Sequence, residues 1–376
     1  MKNLTINDST QLEILKQLTI TEHLLAKAAT KVSGHEQSSE IWAMPDLGLP
    51  HNVTRMRGGF FTGALYTWTT SVPIVPVDAT VNACGASVFK VNVEIENKNQ
   101  FESLVATAAE KASTETTYIW NFNAGNHFII YGELKGSSIL PDGKYIVLHA
   151  GSAEFKKQQN GLYPAKDNWY FHEIKVLEEN KSCRYLRYIE GKTASRFIEL
   201  AIALNEYNLI RLRFFASLIF GDSNIELEIS NKPHYGMPSS NSVSIGCQWI
   251  SEYSPFILLT APNRPLFFIQ PQPSDQNRVS LDGQSLILHP HGLGKAAVNS
   301  LEILYTDDSL VLNGKKYSNG QSIENNKEFE LRSFDWDDSG NSKIPALIDR
   351  VLEQCPGEVV GCFNPIYSYY RGSSEH

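Results

Sequence analysis

Helix-period segments and β-branched, strand-like runs follow one another irregularly along this chain, and that order limits the folds open to it. Residues 9–33 set Leu12, Ile14, Leu15, Leu18, Leu24, Leu25 and Ala28 at helical spacing, with Ser9 or Thr10 as the expected cap. Further helices are expected over 100–113, over 193–218 (Phe197, Leu200, Ala201, Leu204, then Leu209, Leu212, Ala216) and over 343–353. The strand-like runs are "VPIVPVDATVNACGASVFKVNVEI", broken at Gly85, then "HFIIYGEL", "YIVLHAG", "NIELEIS" and "VVGCFNPIYSYY". Residues 246–315 read as short strands with turns, and 42–70, rich in Gly and Pro, as loops. No regular β–α–β alternation is present. The expectation is an α+β fold with mixed sheets: an N-terminal helical segment over 1–40 and one domain over 41–372.

Composition narrows the function classes. A net charge of −8 over 376 residues argues against capture of polyanions over the whole surface, while leaving room for a local basic cleft. Cys84, Cys183, Cys247, Cys355 and Cys362 are odd in number and form no CxxC pair, the pattern of free thiols in a reducing compartment. The N-terminus lacks a basic segment followed by a long apolar core, and no apolar run reaches the roughly 18 residues of a membrane span. The expected location is the cytoplasm, with no membrane partner. The final "SSEH" reads as a loose tail.

The residues able to carry chemistry fall at the ends of elements. Cys84 lies in "NACGAS" at a strand end, His127 in "NAGNHFII" at the start of the next, and His149 in "VLHAGS" at the close of another. His234 follows "IELEISNKP", and His291 sits in the glycine-bearing loop "LHPHGLGK". Strand ends are where a rigid scaffold presents groups to a cleft. One cysteine with several histidines suits a transition metal. Taken singly, each imidazole also has an ordinary structural role open to it, bonded to a backbone carbonyl in the core. In "HPHGLGKA", Gly292 and Gly294 can turn backbone N–H groups toward an anion and Lys295 adds charge. It is not a P-loop, because Ala296 follows the lysine; a surface turn with a basic neighbour is the other reading.

Taken in order, the motifs resemble the RtcB family of GTP-dependent RNA-splicing ligases, especially its shorter members. "AMPDLGLPHN" is similar to that family's Pro-Asp-x-His-x-Gly start, and "PIVPVDATVNACGASVF" to its strand ending in Asp-x-x-Cys-Gly. "NAGNHFII" is similar to Gly-Gly-Gly-Asn-His-Phe-x-Glu, and "VLHAGSAEF" to His-(Ser/Thr)-Gly-Ser-Arg. "LAIALNEYN" falls where the family has a helix ending in Ala-Asn-Arg, and "IELEISNKPHYG" resembles the strand leading to its His-Asn pair. "SLILHPHGLGKAAVN" resembles His-Gly-Ala-Gly-Arg-x-x-Ser-Arg, and "IPALIDRVLEQCPGEVVGCFNPIYSYYRG" the C-terminal helix and strand. The matches run collinearly from about residue 42 to 372.

The resemblance implies a domain of mixed sheets around a central metal cleft. It also implies a reaction in which GTP and Mn²⁺ place GMP on a histidine. The GMP then passes to an RNA 3′-phosphate (or the end formed from a 2′,3′-cyclic phosphate), and a 5′-hydroxyl closes the strand. His291 would be the guanylylated nucleophile. Cys84, His149 and His234 would hold one metal, with His127 and Cys84 at a second. Asn126, Gly292, Gly294, Lys295 and Arg371 would contact the nucleotide. The implied partners are RNA ends and the nucleotide.

Departures from the pattern cluster on the chemistry. Val81 stands at the metal-binding Asp, with Asp78 three residues early. Ile130 replaces a Glu, Gly48 replaces the early His with His51 displaced, and Glu206 reverses an Arg. The arginine of the Ser-Arg motif is missing from "GSAEF", and Arg371 stands at or near the terminal lysine. Most of these losses remove positive charge or a carboxylate, while Cys84, His127, His149, His234 and His291 all survive. A ligase is thus one expectation. A homologue that keeps the metal but not ligation, acting as a binding or regulatory protein, is the other, and its softer Cys/His set would favour Zn²⁺ over Mn²⁺. An α+β protein with purely structural histidines is the third.

Overall fold

Four neighbouring strands position the site. In a computed structural model, which describes residues 1–152, 154, 161–179, 182–251, 253–323, 328–332 and 343–371, they are Ile225–Gly236, Cys84–Val91, Gly143–Ala150 and Phe128–Leu134. They lie side by side in that order within an 11-stranded sheet, and each pairing among them is antiparallel. One flank adds Ser242–Ile245, Thr62–Trp68, Ser39–Gly48 and Lys2–Asn3, the last pairing in parallel. The other adds Gly357–Tyr370, Leu266–Pro271 and Phe256–Leu258. With several small sheets and, among the described residues, four longer helices, the chain is α+β with a mixed main sheet, as the irregular order of its segments implies.

Alternation along these strands builds two cores. Phe89, Ile129, Tyr131, Ile146 and Leu148 face helices Lys98–Glu115 and Gly191–Phe220, whose Phe101, Val105, Leu212 and Phe215 complete that layer. Ala86, Val88, Phe128, Ile130, Tyr145 and Val147 face the other way, onto Ile257, Leu266 and Phe268. Burial on both faces explains why "HFIIY" and "YIVL" are continuous apolar runs rather than alternating ones. Helix Gly191–Phe220 buries Ala194, Phe197, Ala201, Leu204, Asn208, Arg211 and Phe215, at alternating spacings of three and four residues. Two polar side chains, Asn208 and Arg211, therefore sit on its inward stripe.

Three sequence expectations need correction. Residues 42–70 are not loops: they carry most of strand Ser39–Gly48, a short helix Val53–Arg57 and strand Thr62–Trp68. Their Gly and Pro serve an irregular pairing instead. The register between these strands jumps from Ala43 to Gly48, and Gly63, at φ +80°, lies so close that a Cβ would stand 2.7 Å from the Asp46 carbonyl. Gly85 does not break its strand; it pairs with Pro233 where a Cβ would come within 3.1 Å of the Lys232 carbonyl. The hairpin of Lys175–Glu179 and Arg184–Glu190 was not anticipated at all.

The third correction concerns the first helix. Ser9–Ser33 forms as its period requires, but Asp8 is the cap, accepting from the Gln11 N–H while the Gln11 side chain reaches back to the Asp8 N–H. Asp8 also binds Arg332 at 2.6 Å, and Arg332 donates to the Leu293 and Leu47 carbonyls. The helix start is thereby tied to the loop that carries His291. Asp8→Ala removes a cap and uncovers a buried guanidinium, and is expected to cost about 2–3 kcal/mol. Urea unfolding measures it; a loss under about 0.5 kcal/mol would show that Asp8 holds neither partner.

Candidate metal centre

Each of four adjacent strands brings one donor residue to the same end of the sheet. Cys84 opens its strand, His149 is the next-to-last residue of its own, and His127 immediately precedes Phe128. His234 arrives differently. Pro233 pairs with Gly85 and Tyr235 with Cys84, so His234 is the extra residue of a β-bulge. A bulge re-aims the side chain it carries, and this one delivers His234 to Cys84. The approach to Cys84 is itself contorted: Thr80 and Ala83 take φ of +46° and +49°, a left-handed conformation costing about 1 kcal/mol each. Arg55 holds that turn through Thr80 while its guanidinium lies over the Tyr235 ring at 4.2 Å.

The donor atoms converge. Cys84 Sγ and His149 Nε2 are 3.2 Å apart, His149 Nε2 and His234 Nε2 are 3.2 Å apart, and the three donors all fall within 4.8 Å of one another. Ligands around a tetrahedral ion with bonds of about 2.0–2.3 Å stand about 3.3–3.7 Å from each other. His127 Nε2 lies 3.9 Å from Cys84 Sγ and is the natural fourth donor. His149 Nδ1 bonds the Asn126 carbonyl at 3.0 Å and His127 Nδ1 bonds the Asn121 carbonyl at 3.1 Å. A carbonyl only accepts, so each Nδ1 carries the proton and each Nε2 offers a lone pair to the cluster. Burial, then the neighbouring His291, holds His149 down to about 3, and the Asn126 bond offsets this only in part. His234 is lowered well below the usual imidazole range by burial, then by His291, His149 and His127. Neutral imidazoles beside a thiol, all buried, fit a divalent ion, and Cys84, His149 and His234 would hold it.

His291 stands against this cluster with its ring 4.8 Å from that of His234. Its Nδ1 faces two acceptors, Asp46 Oδ2 at 2.6 Å and the Gly246 carbonyl at 2.7 Å. Nδ1 therefore carries a proton. Asp46 is fully buried, and its Oδ1 has no partner among the described residues. Sequence reasoning assigned no role to Asp46, although it is the Asp of "AMPDLGLPHN", the stretch similar to the family's Pro-Asp-x-His-x-Gly start.

The residues expected to contact a nucleotide are arranged less simply. Asn126 exposes its side chain and contributes its carbonyl to His149. Gly292 and Gly294 owe their identity to packing: a Cβ would lie 2.6 Å from the Leu259 carbonyl at the first and 2.1 Å from the Asp46 carbonyl at the second. Lys295 is buried and pushed down to about 8 by burial, its amine 3.5 Å from His51 Nδ1. His51 is lowered to about 4 by burial and by Lys295, with Arg55 and Arg371 also acting on it, although its Ile323 carbonyl bond opposes the shift. Arg371 is exposed at the end of the last strand yet lies within electrostatic reach of His51.

The departures from the family pattern acquire physical reasons. Asp78 is not near the donors by way of a bulge; it is fully buried against Arg187, whose Nε lies 3.0 Å from Oδ2. Val81 and Ile130 are core hydrocarbon. Gly48 leaves no room for a histidine, since a Cβ would stand 2.3 Å from the Lys295 carbonyl. Residue 153, where the motif's arginine is missing, and the tail lie outside the described residues. A separate cleft of about 610 Å³, lined by Trp42, Trp68, Arg278 and Asp282 among others, includes none of the donor residues.

The chain matches no protein-family model and no curated protein. No helix among the described residues is long and apolar enough to cross a membrane. The donor set makes its own prediction. Co²⁺ added to the protein is expected to give an intense thiolate-to-metal absorption with about one ion bound, and Cys84→Ser is expected to abolish that band while leaving the far-ultraviolet circular dichroism intact. A wild-type spectrum without the band would remove the thiol from the ligand set.

Proposed function

We propose that the cluster is the centre of an RtcB-like nucleotidyl-transfer enzyme, in which His291 accepts GMP from GTP and the activated group serves to join RNA 3′-phosphate and 5′-hydroxyl ends. The observation that carries this reading is the state of His291: Nδ1 is engaged by Asp46 and Gly246, and the ring is packed on His234 at the donor cluster. A nucleophilic imidazole needs an unprotonated nitrogen and a partner for the proton that stays. Asp46 supplies that partner. As Nε2 bonds to the α-phosphorus and pyrophosphate leaves, the ring becomes cationic, and the Asp46 carboxylate 2.6 Å from Nδ1 stabilises it. A divalent metal, Mn²⁺ in the resemblance, would neutralise charge on the phosphate oxygens. Lys295, Arg55 and Arg371, grouped around a neutral His51, form the local basic region available to the triphosphate or an RNA end on an otherwise acidic chain.

A second reading is favoured by one specific observation: Asp78, the carboxylate of "PIVPVDATVNACGASVF", is taken by Arg187, and Val81 fills the expected ligand position. The donors are then one thiol and imidazoles, a set that prefers Zn²⁺ in a single-metal site. On that reading the protein binds metal and has lost ligation, serving as a binding or regulatory module.

Intact-mass spectrometry after incubation with GTP and Mn²⁺ separates the two. The nucleotidyl-transfer reading expects an acid-labile GMP adduct, absent in His291→Ala and formed about 100-fold more slowly in Asp46→Asn. Bound metal with no adduct under Mn²⁺, Zn²⁺ or Co²⁺ would reject it in favour of the second.

A further inference from the structure

Arg211 is not one of the donor residues, yet it is among the largest fully buried side chains and bonds the segments that carry two of them. It sits on the inward stripe of helix Gly191–Phe220 with no exposed surface. Burying a guanidinium is unfavourable unless its donors are met, and these are. Nε donates to Glu154 Oε1 at 2.9 Å. Nη2 donates to Asn121 Oδ1 at 2.7 Å and to the Ile119 carbonyl, and Nη1 reaches Asn208 Oδ1 at 3.3 Å.

The two asparagines lead to the donors. Asn121 donates from Nδ2 to the Gly151 carbonyl at 2.8 Å, and Asn208 donates to the Ala150 carbonyl at 2.9 Å. Those two carbonyls belong to the last residue of the strand that carries His149 and to the residue after it. The carbonyl of the same Asn121 accepts the His127 Nδ1 proton. One planar fork thus clamps the turn before His127 and the strand end after His149. Glu154 completes the clamp by accepting from the Ile119 N–H at 2.7 Å.

We infer that Arg211 is a positioning residue of the metal centre: through Asn121 and Asn208 it sets the direction of His127 and the seat of His149, with Glu154 as the counter-charge that lets it stay buried. This rests on the reading of the cluster as a metal site. A buried Arg–Glu pair that only held the helix to the sheet would need neither asparagine.

The test uses the full chain and two readouts. Nitrogen NMR of the histidine side chains in metal-free protein reports the His127 tautomer, and Co²⁺ titration reports affinity. The double variant Arg211→Met with Glu154→Gln removes the fork without leaving an unpaired charge. It is expected to unfold within a few degrees of wild type, to lose the single Nδ1–H form of His127, and to bind Co²⁺ about tenfold to a hundredfold more weakly. Arg211→Lys keeps the charge for Glu154 but cannot span both asparagines, so it is expected to show the same loss and provides the test if the double variant does not fold. A folded variant with unchanged His127 nitrogen shifts and unchanged Co²⁺ affinity overturns the inference. Wild type that takes up no Co²⁺ rejects the metal reading separately, while the nitrogen spectra still decide the role of Arg211.

Discussion

Two main-chain carbonyls decide what this cluster can be. Asn121 and Asn126 each accept an Nδ1 proton, from His127 and His149, and so turn two Nε2 lone pairs toward one thiol. Without those bonds the rings would be free to present either nitrogen, and the cluster would be a set of interchangeable polar groups. Both carbonyls lie in the turn "NFNAGN" that precedes the Phe128 strand, so a short loop governs two donors at once. The acceptors are backbone atoms, which makes them insensitive to the side chains at those positions but dependent on the loop's path.

That path is held by charge in an unusual place. Arg211 and Glu154 are buried together, Asp78 and Arg187 form a second inward pair, and Arg332 ties the first helix to the His291 loop. An apolar core of the same volume would often be equally stable or more so. What the charged pairs add is direction, because a guanidinium fork fixes several acceptors in one plane. These pairs are buried or nearly so, whereas the ion pairs at the opposite ends of the same strands, Lys90–Glu226 and Lys144–Glu133, are partly exposed. Rigidity is thus concentrated where strain is also present, at Thr80 and Ala83.

Much of the architecture was legible because it depends on local period. The helices over 9–33, 100–113, 193–218 and 343–353 and the buried runs around His127 and His149 appear within a few residues of their expected limits. The misreading of 42–70 has a simple cause. Gly and Pro between 42 and 70 were read as breakers, whereas they permit an irregular pairing that leaves room for the His291 loop. Asp46 stood in the quoted "AMPDLGLPHN" without a role, because its carboxylate is meaningful only opposite His291, 245 residues away in sequence. Arg211 and Asn208 were visible as polar residues on an apolar helical stripe, but nothing local could name their partners in the 119–121 and 150–152 segments.

By itself the sequence determined an α+β chain of strands and helices, with a thiol and imidazoles at the ends of its strands. Periodicity and turn chemistry act over a few residues, and they suffice for that. Which donors meet was settled by tertiary structure alone. Convergence required the order of four strands in the sheet, a bulge that turns His234, and two carbonyls that set the histidine protons. Those are relations between segments far apart in the chain, fixed by packing and register rather than by any neighbour in sequence.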